Sequence, residues 1–312
     1  MHKSDFLYIF LYRTGKKQIH PAMNKYVLKS AFSLLNTDYV QLNKNWNYKN
    51  ILSPFYRLYL VDDGNGKLFN PGSSQVLEKG YLYLIPAFTV CNYYCAKYLS
   101  QYYLHFIEDS ADGSSVFSLN RKIFKTAAVK TDIENFKRIG RLNPGRGLYL
   151  TTNPKIYEKQ PVLQGFRELN NLMPAAANME TQGIILQLLS RFLTPGNFEM
   201  NNPKDFHSKI SAAVDFIQRN LQLPITVTNL AERANQNPDY FSRIFHQHTG
   251  YRPLAYIQFK RIERAQFLIV TTSLSFNEIA TETGFETLSY FSRIFKNITG
   301  QNPSQYRSRI TL

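Results

Sequence analysis

Three groups of residues in this chain have types or spacings that could do chemistry: the histidines, one pair of cysteines, and a hexapeptide that occurs twice. The histidines are His2, His20, His105, His207, His246 and His248. Only His105 falls in the strand-like stretch between about 50 and 125, so a three-histidine metal site cannot be built there. No metal and no other cofactor is expected. Cys91 and Cys95 are too few for a disulfide framework or a four-thiolate zinc site. They read either as two small apolar side chains on one strand face or as a redox pair. No Ser/His/Asp arrangement and no phosphate-cradling glycine loop stands out, so the chain is not expected to be an enzyme. The hexapeptide is the strongest signal. Tyr240-Phe241-Ser242-Arg243-Ile244-Phe245 returns as Tyr290-Phe291-Ser292-Arg293-Ile294-Phe295, 50 positions later.

The elements that must hold those hexapeptides repeat as well. Thr249-Gly250 returns as Thr299-Gly300, Pro253 as Pro303, Tyr256 as Tyr306, and Ala231 as Ala280 with one residue inserted between. Each copy reads as a helix-turn-helix. In the second, Ser275 and Glu278 form a capping box that starts a helix. Gly284 can take positive φ and end it in a tight turn. A further helix runs from about Thr287 to Asn297. It has Tyr290, Phe291, Ile294 and Phe295 on one face, and Ser289, Ser292, Arg293 and Lys296 on the other. In the first copy Asn235 takes the glycine's place. Asn237 caps the next helix, with Pro238 at its first position. Tyr240, Phe241, Ile244 and Phe245 are expected inside, and Asp239, Ser242, Arg243, His246 and Gln247 outside. Between the copies, Pro253 to about Thr271 reads as one helix with Leu254, Ile257, Ile262, Ala265, Leu268 and Ile269 on its apolar side. At 1.5 Å per residue it is about 27 Å long. Such a strut could hold two recognition helices about one DNA turn, roughly 34 Å, apart. The rival architecture is a protein-binding helical solenoid, which usually needs three or more repeats where this chain has two.

The first half of the chain follows a different pattern. Phe55 to Val61, Tyr81 to Ile85 and Tyr102 to Ile107 read as short strands, with Gly64-Asn65-Gly66, Gly80 and Pro86 as turn signals. Asp132 to Ile139 and Met179 to Phe192 have helical spacing. Ile184, Ile185, Leu188, Leu189 and Phe192 form a stripe that must bury against its own domain or a second subunit. Pro195-Gly196-Asn197 and Asn201-Asn202-Pro203 are loop chemistry. The expected organisation is an extension at 1–22, a first domain at 23–193, a linker at 194–206 and a helical domain at 207–312.

Bulk composition agrees with two domains. The chain has 312 residues, 44% of them hydrophobic, and a formal net charge of +15. Such basicity favours polyanionic partners. It does not locate them, because the net charge is +5 from Phe206 onward and +10 before it. No run of about 20 apolar residues exists, so no membrane span is expected. The apolar start, Phe6 to Tyr12, lacks a clear cleavage site, and a cytoplasmic location is expected.

From roughly Phe206 to Leu312 the chain resembles the AraC/XylS family of transcription regulators. The residues that carry the resemblance are Leu230-Ala231, the two hexapeptides, Thr249-Gly250, Arg261 with Ala265 and Leu268, Glu278-Ile279-Ala280, Gly284-Phe285, Lys296, Thr299-Gly300, Pro303 and Tyr306-Arg307. The resemblance implies two helix-turn-helix units that read adjacent major grooves of promoter DNA. It makes Asp239, Ser242 and Arg243 the readers of the first unit, and Leu288, Ser289, Ser292 and Arg293 those of the second. Lys296 would contact DNA too, and Arg261 would reach a phosphate or brace the units. Arginine's fork fits guanine O6 and N7, although an arginine here can instead hold a phosphate or a carboxylate. The first half resembles, more weakly, the family's cupin-type sensor: a small β-barrel with accessory helices, giving an α+β chain overall. Its supporting residues are Ser53 to Tyr59, Gly64, Gly80, Leu84-Ile85-Pro86 and His105-Phe106. The resemblance implies a small-molecule effector, often a sugar, a homodimer, an activator's role and RNA polymerase as a further partner. Strand alternation puts Arg57 with Tyr59, and Tyr103 with His105, on common faces, so these four are candidate effector contacts. The alternatives are a helical protein-interaction module and a metal-free cupin enzyme tethered to DNA.

Overall fold

The computed structural model describes residues 31–70, 73–109, 115–117, 121–148, 153–158, 160–194 and 205–311. The expected extension at 1–22 lies outside them, as does most of the expected linker at 194–206. The strands are β1 (Ala31–Asn43), β2 (Asn47–Ile51), β3 (Tyr56–Gly64), β4 (Gly66–Asn70), β5 (Ser73–Leu77), β6 (Tyr81–Ile85), β7 (Cys91–Tyr94), β8 (Tyr98–Asp109) and β9 (Phe124–Ala127). They form two antiparallel sheets, ordered β1-β8-β3-β6-β9 and β2-β7-β4-β5. Among the described residues no ladder joins the two, so the expected barrel takes the form of two packed sheets and is not closed.

The continuous apolar run in β3 follows from its central place. Tyr56, Leu58 and Leu60 point to one face, where Phe136, Ile139, Ile184, Ile185, Leu188, Leu189 and Phe192 cover the sheet. Tyr59 and Val61 point to the other, into the core between the sheets with Leu68, Leu77, Cys91 and Tyr93. A strand buried on both faces loses the alternation of a half-exposed one. The covering helices are α1 (Lys130–Leu142) and α4 (Ala175–Ser190), preceded in the chain by α2 (Pro154–Tyr157) and α3 (Gln160–Asn171). The Ile184 stripe is therefore spent on the chain's own sheet. Cys91 and Cys95 are free thiols, both buried, and burial pushes the Cys91 thiol up to about 11.

The rest is helical: α5 (Asp205–Arg219), α6 (Val227–Arg233), α7 (Pro238–Thr249), α8 (Pro253–Thr271), α9 (Phe276–Glu282), α10 (Leu288–Thr299) and α11 (Pro303–Thr311). The strut, α8, has the bounds its periodicity predicts. Its first half, Tyr256 and Ile257, shares a core with Leu230, Phe241 and Phe245. Its second half, Ile262 to Val270, shares one with Ile279, Phe291, Phe295 and Tyr306. Leu254 departs from expectation: it is 54% exposed, at a point where neither core covers the helix.

The second of these cores extends into the sheet region through Leu35, Phe55, Ile107, Tyr157 and Leu163. Polar contacts reinforce that junction. Arg167 donates to the Thr271 carbonyl (2.6 Å). Glu263, on the strut, takes Lys260 (3.1 Å) and both terminal nitrogens of Arg121, one of them at 2.9 Å. Burial presses the Lys260 ammonium well below its ordinary pKa, and the Arg121 charge beside it adds to the shift.

Candidate nucleic-acid interface

Each recognition helix is set by a cap, a turn and an aromatic floor. In the first unit the Thr226 hydroxyl accepts from the Asn229 amide (3.1 Å) and starts α6. Asn235 turns the chain at φ 51°, and the Asn237 side chain accepts from the Asp239 amide (2.9 Å) to start α7. In the second unit the Ser275–Glu278 capping box starts α9, and hydrogen bonds from Ser275 hold the Glu278 carboxyl below its ordinary pKa. Gly284 turns at φ 76°, and the Thr287 hydroxyl accepts from the Tyr290 amide (3.2 Å) to start α10. Both recognition helices end at a left-handed glycine, Gly250 and Gly300. Phe241, Phe245, Phe291 and Phe295 are fully buried. Burial of each contributes about 1.5–3 kcal/mol toward holding its helix in place.

The predicted readers then fall on the outer faces. Asp239 and Arg243 are exposed and Ser242 half-exposed on α7. Leu288, Ser289, Arg293 and Lys296 are exposed and Ser292 half-exposed on α10. Arg243 and Arg293 each place their guanidinium 5.2 Å from the ring centre of a tyrosine one turn earlier, Tyr240 and Tyr290. The same outward serine and arginine are thus presented twice by near-identical scaffolds. Serine and arginine are hydrogen-bond donors suited to base edges and phosphates.

One expectation needs correction: Tyr240 is not inside; it is 40% exposed. Of the two roles expected for Arg261, a phosphate contact or a brace, the arrangement matches the brace. Its Nε donates to the Leu221 carbonyl (2.9 Å) and its Nη2 to the Leu223 carbonyl (2.7 Å), so it braces the two units.

Three of the four effector candidates, Tyr59, Tyr103 and His105, meet at one cavity, and the fourth, Arg57, does not. In the β3–β8 ladder Arg57 pairs with His105 and Tyr59 with Tyr103. Tyr59, Tyr103 and His105 line a cavity of about 220 Å³, together with Tyr39, Trp46, Gln101 and Tyr157. Arg57 does not line it. Its guanidinium is fully buried and spent on the Tyr93 hydroxyl and the Thr89 carbonyl (2.8 Å). The Tyr103 hydroxyl accepts from the Leu148 amide (2.8 Å). His105 stacks on Tyr157 (5.6 Å between ring centres), and among the described residues neither of its ring nitrogens has a hydrogen-bond partner. Gln101 Oε1, also buried, has none either. Gln101 could have been found from the sequence, since 101, 103 and 105 alternate on one strand face. Trp46 and Tyr157 come from loop and short-helix positions that alternation cannot reach.

Burial, and secondarily the Arg57 charge, hold the His105 imidazole well below its ordinary pKa of 6.5, so it is neutral when folded. Below pH 6.5 the unfolded chain takes up a proton that the folded chain refuses. Stability should therefore fall with pH there, by about 1.4 kcal/mol per unit for this one site, until the folded pKa is reached. Above pH 6.5 the site adds no slope. His105→Leu should remove that part of the slope. Urea unfolding at pH 7 and pH 5 would reveal it, and equal losses in both proteins would contradict it.

Comparison with known proteins gives a consistent picture. Residues 230–309 match the model of a family described as a helix-turn-helix domain. The uncharacterized HTH-type transcriptional regulator YisR of Bacillus subtilis is 24% identical over 290 residues, 91% of this chain and 89% of its own length. The arabinose operon regulatory protein of Escherichia coli is 29% identical over 126 residues, 40% of this chain. The chain spans about two fifths of the length of several curated relatives it matches, 42% for that regulator and 40% for the Escherichia coli regulator YpdC. Among solved structures, the C-terminal domain of AraT, a response regulator from Geobacillus stearothermophilus, is 31% identical. That match covers 35% of this chain and 91% of the other, with a TM-score of 0.33.

Proposed function

We propose that the chain is an AraC/XylS-family transcription regulator whose helix-turn-helix domain binds a two-part promoter site under the control of a small uncharged effector. The observation that carries the DNA reading is the pair of equivalent recognition helices, each with an exposed arginine and a half-exposed serine one position before it. In this reading Asp239, Ser242 and Arg243 contact one major groove, and Leu288, Ser289, Ser292 and Arg293 the next, with Lys296 on the backbone. The 19-residue strut sets the distance between them. Activation follows from the family resemblance alone. A homodimer would have to use a surface other than the Ile184 stripe, which lies against the sheet.

The effector reading rests on the cavity over β1, β3 and β8 of the larger sheet. Its aromatic walls suit a ring, and His105 and Gln101 offer buried polar atoms that no described residue hydrogen-bonds. Such atoms are costly to leave unmet, and among the described residues no lysine or arginine lines the space, whereas Asp38 does. That combination selects a neutral molecule with donors and acceptors, such as a sugar, over an anion. Tyr157 lines the cavity and also belongs to the core shared with the strut, so occupancy can be felt by the reader.

Trp46 is the chain's only tryptophan and lines the cavity, so its emission reports on it. Titration of neutral sugars into the full chain should shift that emission and change duplex affinity together. Gln101→Leu should weaken both responses about tenfold. A compound that alters duplex affinity while Trp46 emission stays fixed, equally in Gln101→Leu, would place the effector elsewhere.

A further inference from the structure

The two helix-turn-helix units do not share one hydrophobic core. The first core closes over Tyr256 and Ile257 of the strut, and the second begins at Ile262. Arg261 stands where one gives way to the other. It is held on both sides of the seam. Its Nε and Nη2 donate to the Leu221 and Leu223 carbonyls, which leave the last helix before the first unit's cap (2.9 and 2.7 Å). Its guanidinium also lies 5.7 Å from the ring of Phe285, in the turn of the second unit. The backbone at Gly284 comes in so close that a Cβ there would sit 2.1 Å from the Leu221 carbonyl oxygen and 2.8 Å from Arg261 Nη2. Gln222 adds a bond to Glu282 across the same seam (2.7 Å).

We propose that Arg261 is a positioning residue that clamps the two readers at one separation, and so dictates the spacing between the two half-motifs of the DNA site. The role rests on the DNA-reading function proposed above. A guanidinium is suited to it because its planar fork can serve two carbonyls at once, which an ammonium does with less geometric control. The strut alone fixes length, but a single helix linking two separate cores leaves their relative rotation to the seam. Tight spacing preference is therefore a property of the clamp.

The test has two readouts on the full chain, wild type and Arg261→Ala. One is the distance between spin labels at Gln247 and Asn297, equivalent exposed positions on the two recognition helices. The other is affinity for duplexes whose half-motifs are moved apart or together by one or two base pairs. The clamp predicts one narrow distance and one strongly favoured spacing for the wild type. Arg261→Ala should broaden the distance and cut the preference for the favoured spacing about tenfold, with the preferred bases in each half-motif unchanged. Arg261→Lys, the milder variant should alanine impair folding, is expected in between. Gly284→Ala should shift the distance by pushing the seam open. An unchanged distance and spacing preference in the variants would overturn the proposal. So would a uniform loss of affinity at every spacing with a salt slope lower by about one, which marks a phosphate contact. A narrow distance that broadens in Arg261→Ala, with no sequence-selective duplex found for the wild type, would leave the clamp standing as a structural brace. It would overturn its role in DNA spacing together with the function proposed above.

Discussion

Replacing Arg243 or Arg293 with alanine is expected to cost about 1–3 kcal/mol of binding to the preferred duplex, on the order of 10- to 100-fold in affinity. Each loss should be confined to one half of the site. Both arginines are exposed on the outer face of a recognition helix, and each is steadied by a tyrosine ring 5.2 Å away. That support limits the rotamer freedom lost on binding, so more of the contact energy survives as affinity. A bidentate arginine discriminates guanine from other bases, whereas a phosphate contact does not. The readout is therefore affinity for the preferred duplex against duplexes altered at single positions. Relaxed preference at one or two base pairs per variant supports base reading. A loss that is equal for all sequences would make these arginines backbone contacts.

The second large effect is on stability. Glu263→Ala should lower the free energy of unfolding by about 3–5 kcal/mol, because it strips the counter-charge from the buried Lys260 and from Arg121, whose side chain is 18% exposed. The Glu263 side chain is 8% exposed and Lys260 7%, so solvent cannot take over its part. Lys260 can discard its proton, toward which its burial already pushes it, and this places the expected loss toward the lower end. Replacing Lys260 and Glu263 together with Met and Leu should restore the part of the loss that is due to Lys260, since an apolar pair can replace a buried ion pair, while Arg121 stays without its counter-charge. Arg138 and Glu180 are the contrasting case. They form an ion pair with both side chains near half exposed, and Glu180→Gln should barely change stability. Urea unfolding of the four proteins distinguishes these outcomes. A small change for Glu263→Ala would mean that water reaches the junction. Because Arg121 belongs to the sheet region, the same substitution should also loosen its contact with the strut.

The helix-turn-helix pair is legible in the sequence because its signals are local and doubled. The Ser275–Glu278 capping box, the positive φ at Asn235 and Gly284, the Asn237-Pro238 start and the ends of the strut all follow from residues within a turn or two of each other. Tyr240 escapes because the repeat is imperfect. Tyr290 gains cover from Phe285 (5.9 Å) and a hydrogen bond from Gln258 (2.7 Å). Gln236 stands in the first copy where Phe285 stands in the second, so the cover that Phe285 gives Tyr290 has no counterpart at that position. For Arg261 the sequence left a phosphate contact and a brace both open, because its partners are backbone carbonyls about forty positions upstream, which no side-chain pattern announces. In the sheet region β3, β6 and β8 are legible from aromatic runs. β2 and β5, with sequences NYKNI and SSQVL, are polar strands of the smaller sheet whose pattern does not separate them from loops. Alternation put Arg57 with Tyr59 and Tyr103 with His105 but could not give the register that makes the two pairs neighbours. Nor could it show that Tyr93 and Thr89 occupy Arg57.

The central claim is that two equivalent helices read two stretches of one duplex. Selection of bound duplexes from a random pool by the full chain tests it most directly. The account predicts two short motifs, centred about one helical turn apart, roughly 34 Å, with a guanine in each that Arg243→Ala or Arg293→Ala ceases to favour. Enrichment of no motif, with binding that persists and falls steeply with salt, would contradict it and reduce the readers named here to phosphate contacts.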